Sequence, residues 1–178
     1  MTLDFRPLGR GDFVTLSAWL QEPLVAWWWA DDSAVENIET EYGPAIDGTD
    51  PTEVFVVTID GADSGLIQRY YWNDEPDYIA EVAPYIDLPK RAMSIDYLLG
   101  DGHRGAGRGT AMIAAFVDCL WQDHRDCPCL IVPVHADNRS SWRALERCGF
   151  ARIAECELTP DNPAHTRNHV IYQLNRPT

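Results

Sequence analysis

The stretch from Asp96 to Gly109 carries the densest set of groups in this chain that could do chemistry. A single carboxylate, Asp96, is embedded in an apolar run, Met93 to Leu99, that stops at Gly100. Arg104-Gly105-Ala106-Gly107-Arg108-Gly109 follows, and Thr110 opens a helix-like run. Closely spaced glycines allow successive backbone N–H groups to converge on one point. A helix start adds unsatisfied N–H donors and the positive end of a dipole. Together they form a seat for a phosphate or pyrophosphate, with Arg104 and Arg108 adding charge. No Gly-Lys-Ser/Thr follows the glycines, so a nucleoside triphosphate is not the expected anion.

The elements that must position these groups read as a mixed α/β chain. Leu3 to Leu8 alternates as a first strand. Asp12 is placed to cap a helix through Phe13, Leu16, Trp19 and Leu20, which Pro23 ends. Val25-Ala26-Trp27-Trp28-Trp29 is a short aromatic segment, and Ser33 is placed to cap an acidic helix stopped by Gly43-Pro44. Thr52 to Ile59 and Gly65 to Trp72 read as a hairpin around Asp60-Gly61-Ala62-Asp63. Asn73 to Lys90 reads as a long loop with irregular pieces, and Met93 to Leu99 as a strand. The helix after the glycines is expected over Thr110 to Trp121. A strand from Cys129 to Val134, a helix from Asn138 to Cys148 closed by Gly149, and strands Phe150 to Cys156 and His169 to Leu174 complete the order. No repeat or linker interrupts it, so residues 1–178 are expected to form one domain.

Bulk properties narrow the partners. The chain has a net charge of −14, with 19 acidic and 5 basic side chains in residues 1–100 but 9 of each in 101–178. All the excess acid lies in the first part, which makes nucleic acid an unsuitable partner there. Two readings of that acid stand: surface solubility, or attraction of a cationic substrate. No apolar run is long enough to span a bilayer, and the N-terminus lacks a signal-peptide pattern, so no membrane partner and a cytoplasmic location are expected. Five cysteines without such a signal read as free thiols. Cys127-Pro128-Cys129 has the wrong spacing for a redox or zinc motif, and no metal is expected despite nearby His124 and His135. A monomer or homodimer fits equally.

Arg104 to Gly109 fits the acyl-CoA pyrophosphate pattern of the GNAT superfamily of N-acetyltransferases, which this order of elements resembles. Asn138-Arg139-Ser140-Ser141-Trp142-Arg143-Ala144-Leu145-Glu146-Arg147-Cys148-Gly149-Phe150 resembles its second signature, a helix that begins at asparagine and ends before Gly-Phe. Over nearly its whole length the chain also resembles bacterial aminoglycoside 6′-N-acetyltransferases. Trp27-Trp28, Gln68-Arg69-Tyr70 and Ser94-Ile95-Asp96-Tyr97-Leu98-Leu99 carry that likeness. Two departures accompany it: Leu145 stands where the superfamily often has a tyrosine, and Pro133 where some relatives place an acid. Part of the likeness is shared with siderophore-assembly acyltransferases.

The resemblance implies an α/β fold with a mixed, mostly antiparallel central sheet flanked by helices and a splayed acyl-CoA-binding strand pair. It implies acetyl-CoA as co-substrate, held by Leu98, Leu99, Arg104, Gly105, Ala106, Gly107, Arg108, Gly109, Thr110 and Asn138. A cationic small-molecule amine would be bound by Trp27, Trp28, Gln68, Tyr70 and Asp96, with Asp96 also in the catalytic role of orienting the amine. Acetyl transfer needs a neutral amine, a polarised carbonyl and both held in line. A carboxylate near its ordinary pKa of about 4 is a weak base for an ammonium, so orientation suits Asp96 better than proton abstraction. The leaving thiolate, with a pKa of about 8.5, needs little acid, so Leu145 does not forbid transfer.

Plainer roles remain open beside these. Asp96 in an alternating strand can simply face solvent. Tyr70 can pack in the core, Asn138 can serve only as a helix cap, and the tryptophans can divide between core and cleft. Asp74, Glu75, Asp77, Glu81 and Asp87 fit a solvated loop or a substrate border. The alternatives to an aminoglycoside are another amine, such as a siderophore lysine side chain, a polyamine or a protein N-terminus, or a CoA-binding module without turnover.

Overall fold

The computed structural model describes residues 1–177. Its elements are β1 (Leu3–Pro7), α1 (Phe13–Leu20), α2 (Pro23–Trp28), α3 (Val35–Ile46), β2 (Glu53–Ile59), β3 (Ala62–Tyr71), α4 (Pro76–Val82), β4 (Met93–Leu99), α5 (Arg108–Asp123), β5 (Cys129–His135), α6 (Arg139–Arg147), β6 (Ala151–Glu157) and β7 (Asn168–Asn175). Among the described residues the strands follow the sheet order β1-β2-β3-β4-β5-β7-β6. This is the expected α/β architecture, mostly antiparallel with one parallel step from β4 to β5. That step is short, its register being the single pair Met93 opposite Leu130. The chain packs as two compact units, Met1–Arg69 with Asp96–Arg108, and Tyr70–Ile95 with the chain from Gly109 onward.

In the first unit, β2 is a β-branched and aromatic run, Glu-Val-Phe-Val-Val-Thr-Ile, paired antiparallel with both β1 and β3. The β2–β3 turn takes two residues, Asp60 and Gly61, with φ of 51° and 83°. Paired positive φ angles match the right-handed twist of the strands they join. Phe13, Leu16, Trp19 and Leu20 of α1 fall at helical spacing and bury against Val25, Ile38, Tyr42, Val54, Val56, Leu66 and Leu98. Burying side chains of this size contributes about 1.5–3 kcal/mol each, set against the cost of ordering them.

Several local expectations are corrected in this unit. Asp12 occupies the N-cap position of α1, but its side chain makes no cap bond. Its carboxylate instead takes two bonds from Arg6 at 2.8 Å and one from the Gly9 N–H at 2.9 Å. Pro23 does not only follow a helix but begins the next one, at the position where a missing N–H costs nothing. The tryptophan segment is therefore the helix α2. Ser33 caps nothing, since Asp32 Oδ1 accepts the Ala34 N–H that opens α3. Gly43-Pro44 does not stop α3, which continues to Ile46 because Ala45 and Ile46 pack against the core.

In the second unit, β5, β7 and β6 form an antiparallel set with β7 in the middle. Trp72, Val82, Ala92, Cys129, Ile131, Cys156, Leu158 and Ile171 form its core. The Trp72 indole N–H donates to the Ile131 carbonyl at 3.1 Å, so this wholly buried side chain leaves no polar group unpaired. The segment 73–90 is not loop throughout, because it contains α4 with Pro76 in its first turn. Glu81 of α4 accepts the Thr159 N–H at 2.6 Å, which gives one of the loop acids a structural duty. Asn138 caps α6 by accepting the Ser141 N–H, and Gly149 closes it at φ 87°.

Candidate functional site

Asp96 is the central residue of β4 and is half-buried. Gln68 on β3 donates from Nε2 to Asp96 Oδ2 at 3.1 Å. Two residues far apart in sequence are thus brought to one spot, and the amide restrains one carboxylate oxygen. Such close pairing of β3 and β4 depends on glycine. A Cβ at Gly65 would sit 2.2 Å from the Leu98 carbonyl oxygen and 3.1 Å from the Leu99 Cα. The Gly100 N–H donates to the Ser64 carbonyl at 2.9 Å, continuing the contact. By strand alternation Leu98 and Gly100 turn their backbone polar groups toward β3, and Leu99 turns its own away. The Leu99 carbonyl accepts from Arg104 Nε at 2.7 Å.

The glycine loop takes the shape its sequence requires. Gly105, Ala106 and Gly107 have φ of 83°, 48° and 78° in succession, and α5 begins at Arg108. Space opens around both glycines, with nothing within 4 Å of where a Cβ would point. An exposed turn of this kind leading into a sixteen-residue helix fits an anion. The helix starts two residues before the expected Thr110, so Gly109 and Thr110 lie within its first turn.

The two loop arginines differ. Arg104 pairs with Glu22 through Nη2, holds the Leu99 carbonyl through Nε, and has Nη1 3.8 Å from Asp101 Oδ1. Its charge therefore fixes the loop and is already compensated. Arg108 reaches the Gly102 carbonyl at 2.9 Å through one guanidinium nitrogen and remains at the loop surface. Glu22 also accepts the Asp101 N–H at 2.8–2.9 Å on both oxygens. Nothing in the local pattern Gln-Glu-Pro-Leu announces this, because its partners lie about 80 positions along the chain.

The tryptophans divide between core and surface. Trp29 packs against the core and donates from its indole to Asp31 at 2.7 Å. Trp27 is 47% exposed and meets the edge of half-buried Trp28 at 6.3 Å and 74°. Tyr42 donates to Asp31 at 2.6 Å, and burial is the first cause of its raised pKa. Asp31, Asp32 and Glu41 line a depression beside it, where burial, then Asp31, push the Glu41 carboxyl up. The acid of this unit thus includes a clustered patch of Asp31, Asp32 and Glu41.

The remaining expected residues fall in the second unit or at its start. Tyr70 is half-buried on β3, two residues beyond Gln68 on the same strand face. Thr110 offers its carbonyl to the Cys148 thiol at 3.2 Å. Asn138 is occupied as the α6 cap, and its Oδ1 also accepts from Ser140. Leu145 is wholly buried, and Pro133 lies opposite Ile171 in the sheet. His103 bonds through Nδ1 with Ser64 Oγ at 3.0 Å in the first unit. His135 stacks near His165 and His169, with ring centroids 4.9 and 5.2 Å away. All five cysteines are free, and among the described residues no group of His, Cys, Asp or Glu is arranged to hold a metal. Also among them, no helix is long and apolar enough to cross a membrane.

A family model described as an acetyltransferase (GNAT) domain matches residues 10–158, and the chain belongs to that family. Its co-substrate is acetyl-CoA. No curated protein sequence matches the chain. Among solved structures, aminoglycoside acetyltransferase AAC(6′)-Ib in complex with coenzyme A and kanamycin superposes with a TM-score of 0.83 at 22% identity, covering 98% of this chain and 95% of that one. AAC(6′)-Ib with paromomycin and acetyl-CoA gives 0.83 at 21% identity, with 99% and 94% covered. Spermidine N-acetyltransferase from Vibrio cholerae, in complex with CoA and spermine, gives 0.74 at 16% identity, with 97% and 95% covered. At these identities the likeness establishes the fold.

Proposed function

We propose that this acetyltransferase moves the acetyl group of acetyl-CoA to a primary amine of a cationic small molecule, the 6′-amine of an aminoglycoside being the best-fitting acceptor. The observation that carries this reading is the Gln68–Asp96 hydrogen bond at 3.1 Å, with Asp96 on the strand that leads into the glycine loop. A carboxylate restrained at one oxygen is suited to accept an ammonium or amine N–H and aim the nitrogen. Trp27 and Trp28 offer flat faces for sugar rings and ammonium groups. The excess acid of residues 1–100 draws a polycation toward the same part of the chain.

On the donor side, the N–H groups of Gly105, Ala106 and Gly107 and the first turn of α5, including Gly109 and Thr110, receive the pyrophosphate, with Arg108 supplying charge. Leu99 rather than Leu98 presents its backbone away from β3, which suits it to polarise the thioester carbonyl. The leaving thiolate departs without an acid, consistent with a leucine at 145.

A thiol-release assay with acetyl-CoA and kanamycin or tobramycin tests the proposal. Turnover is expected with 6′-amino aminoglycosides, and its absence with all of them rejects that acceptor. Turnover with spermine or spermidine instead would assign the acidic face to a linear polyamine.

A further inference from the structure

Glu22 stands between the two halves of the proposed site. Its backbone carbonyl accepts the Ala26 N–H at 2.9 Å, which starts α2. Its side chain reaches the other way, taking the Asp101 N–H on both oxygens and the Arg104 guanidinium on one. Arg104 in turn grips the Leu99 carbonyl at the end of β4. The carboxylate and the guanidinium are shielded, with 20% and 28% of their side chains exposed. Gly100 makes room for this arrangement: a Cβ there would lie 2.6 Å from the Trp19 indole nitrogen and 3.4 Å from Glu22 Oε1. Trp27 and Trp28 form the last turn of α2, whose six residues span only about 9 Å. A helix this short moves as one piece, so displacement at Glu22 is carried to the tryptophan pair.

We infer that Glu22 is a positioning residue that couples the order of the glycine loop to the placement of Trp27 and Trp28. The inference rests on the proposed reading of the loop as the donor seat and of α2 as a wall of the amine site. Glu22 itself touches neither substrate. A shielded, charge-assisted contact transmits geometry better than an exposed ion pair, because water competes for it less. An acetyl-CoA that orders the loop thereby sets α2 for the amine.

The test is two-substrate kinetics at saturating acetyl-CoA, together with tryptophan fluorescence during CoA titration. Glu22→Ala is expected to raise the amine KM about tenfold with kcat within about threefold of wild type. Arg104→Met, a change on the loop alone, is expected to raise the amine KM similarly, and the double variant to add little more. Glu22→Gln, which keeps an acceptor for the Asp101 N–H, is expected to fall between. CoA should perturb the fluorescence of Trp27 and Trp28, a signal lost in Trp27→Phe/Trp28→Phe and in Glu22→Ala. If Glu22→Ala fails to fold, Arg104→Met reads the same coupling from the loop side. An amine KM unchanged in both variants, or additive effects in the double, overturns the inference. A wild-type chain that binds CoA but acetylates no amine rejects the function reading, and the fluorescence signal then decides the coupling by itself.

Discussion

Gln68 and Asp96 meet through one hydrogen bond of 3.1 Å between strands whose backbones touch at Gly65 and Leu98. Asp96→Asn keeps the shape of the side chain and removes its charge. A drop in kcat/KM of at least about a hundredfold is expected, since an amine-orienting carboxylate acts on the reacting atom itself. Gln68→Ala should cost less, about tenfold, because Asp96 then keeps its charge but loses the hydrogen bond that restrains it. CoA affinity by calorimetry should be unchanged in both. A near-wild-type rate in Asp96→Asn would remove that residue from the reaction.

Gly65 sets the distance between those strands. Gly65→Ala places a methyl 2.2 Å from the Leu98 carbonyl, a backbone atom that cannot rotate aside. Destabilisation at the upper end of the 1–3 kcal/mol typical of overpacking is expected, read as a lower urea midpoint. Because β4 must shift to relieve the clash, activity should fall even where the variant remains folded.

The histidines around His135 make stability depend on mild acid. The His165 pKa is lowered first by burial and then by His135. That of His169 is lowered first by burial, opposed by a bond to the Arg167 carbonyl, and lowered again by His135, while Glu81 raises it. Asp137 raises that of His165. His135 accepts the Asp137 N–H on Nδ1 and therefore presents an Nε2 proton to the Thr166 carbonyl at 3.0 Å. A histidine that is harder to protonate when folded contributes stability above its unfolded pKa of about 6.5, and that contribution is lost as the pH falls through the lowered folded value. The melting temperature should fall between pH 7 and pH 5, and His169→Asn should flatten the fall. A pH-independent melt over that range would contradict it.

The thiols should separate by burial. Cys129 and Cys156 are pushed up to about 11 by burial, and burial also raises Cys127 and Cys148. Cys119 is exposed. At pH 8 iodoacetamide should label Cys119 in the native protein and reach the buried thiols only in denaturant, as mass spectrometry would report.

How far the sequence carried these conclusions depended on how local the governing physics was. The glycine loop, the Asn138 cap, the Gly149 close and the Asp60-Gly61 turn all depend on residues within a few positions of one another, and each is legible from its pattern. The run Val25 to Trp29 was not, because its dense apolar character hid a helix that Pro23 announces at its first position. Ser33 and Asp12 looked like caps, yet tertiary partners decided otherwise: Arg6 captured Asp12, and Asp32 took the Ala34 N–H. The Gln68–Asp96 contact was approached from a family pattern, while Glu22 had no local signal. Its partners are Asp101 and Arg104, and only the folded chain brings them together.

The compensation of Arg104 by Glu22 has a consequence for ionic strength. In the proposed donor site the loop would meet a pyrophosphate mainly with oriented peptide dipoles and the Arg108 guanidinium, so few mobile counterions would be displaced there. The proposed cationic acceptor, by contrast, would be drawn by the excess acid of residues 1–100 through a field that salt screens within about 8–10 Å at physiological strength. Adding potassium chloride from 20 to 300 mM should therefore raise the amine KM steeply and that of acetyl-CoA only slightly, so that one variable in the buffer separates the two recognition modes.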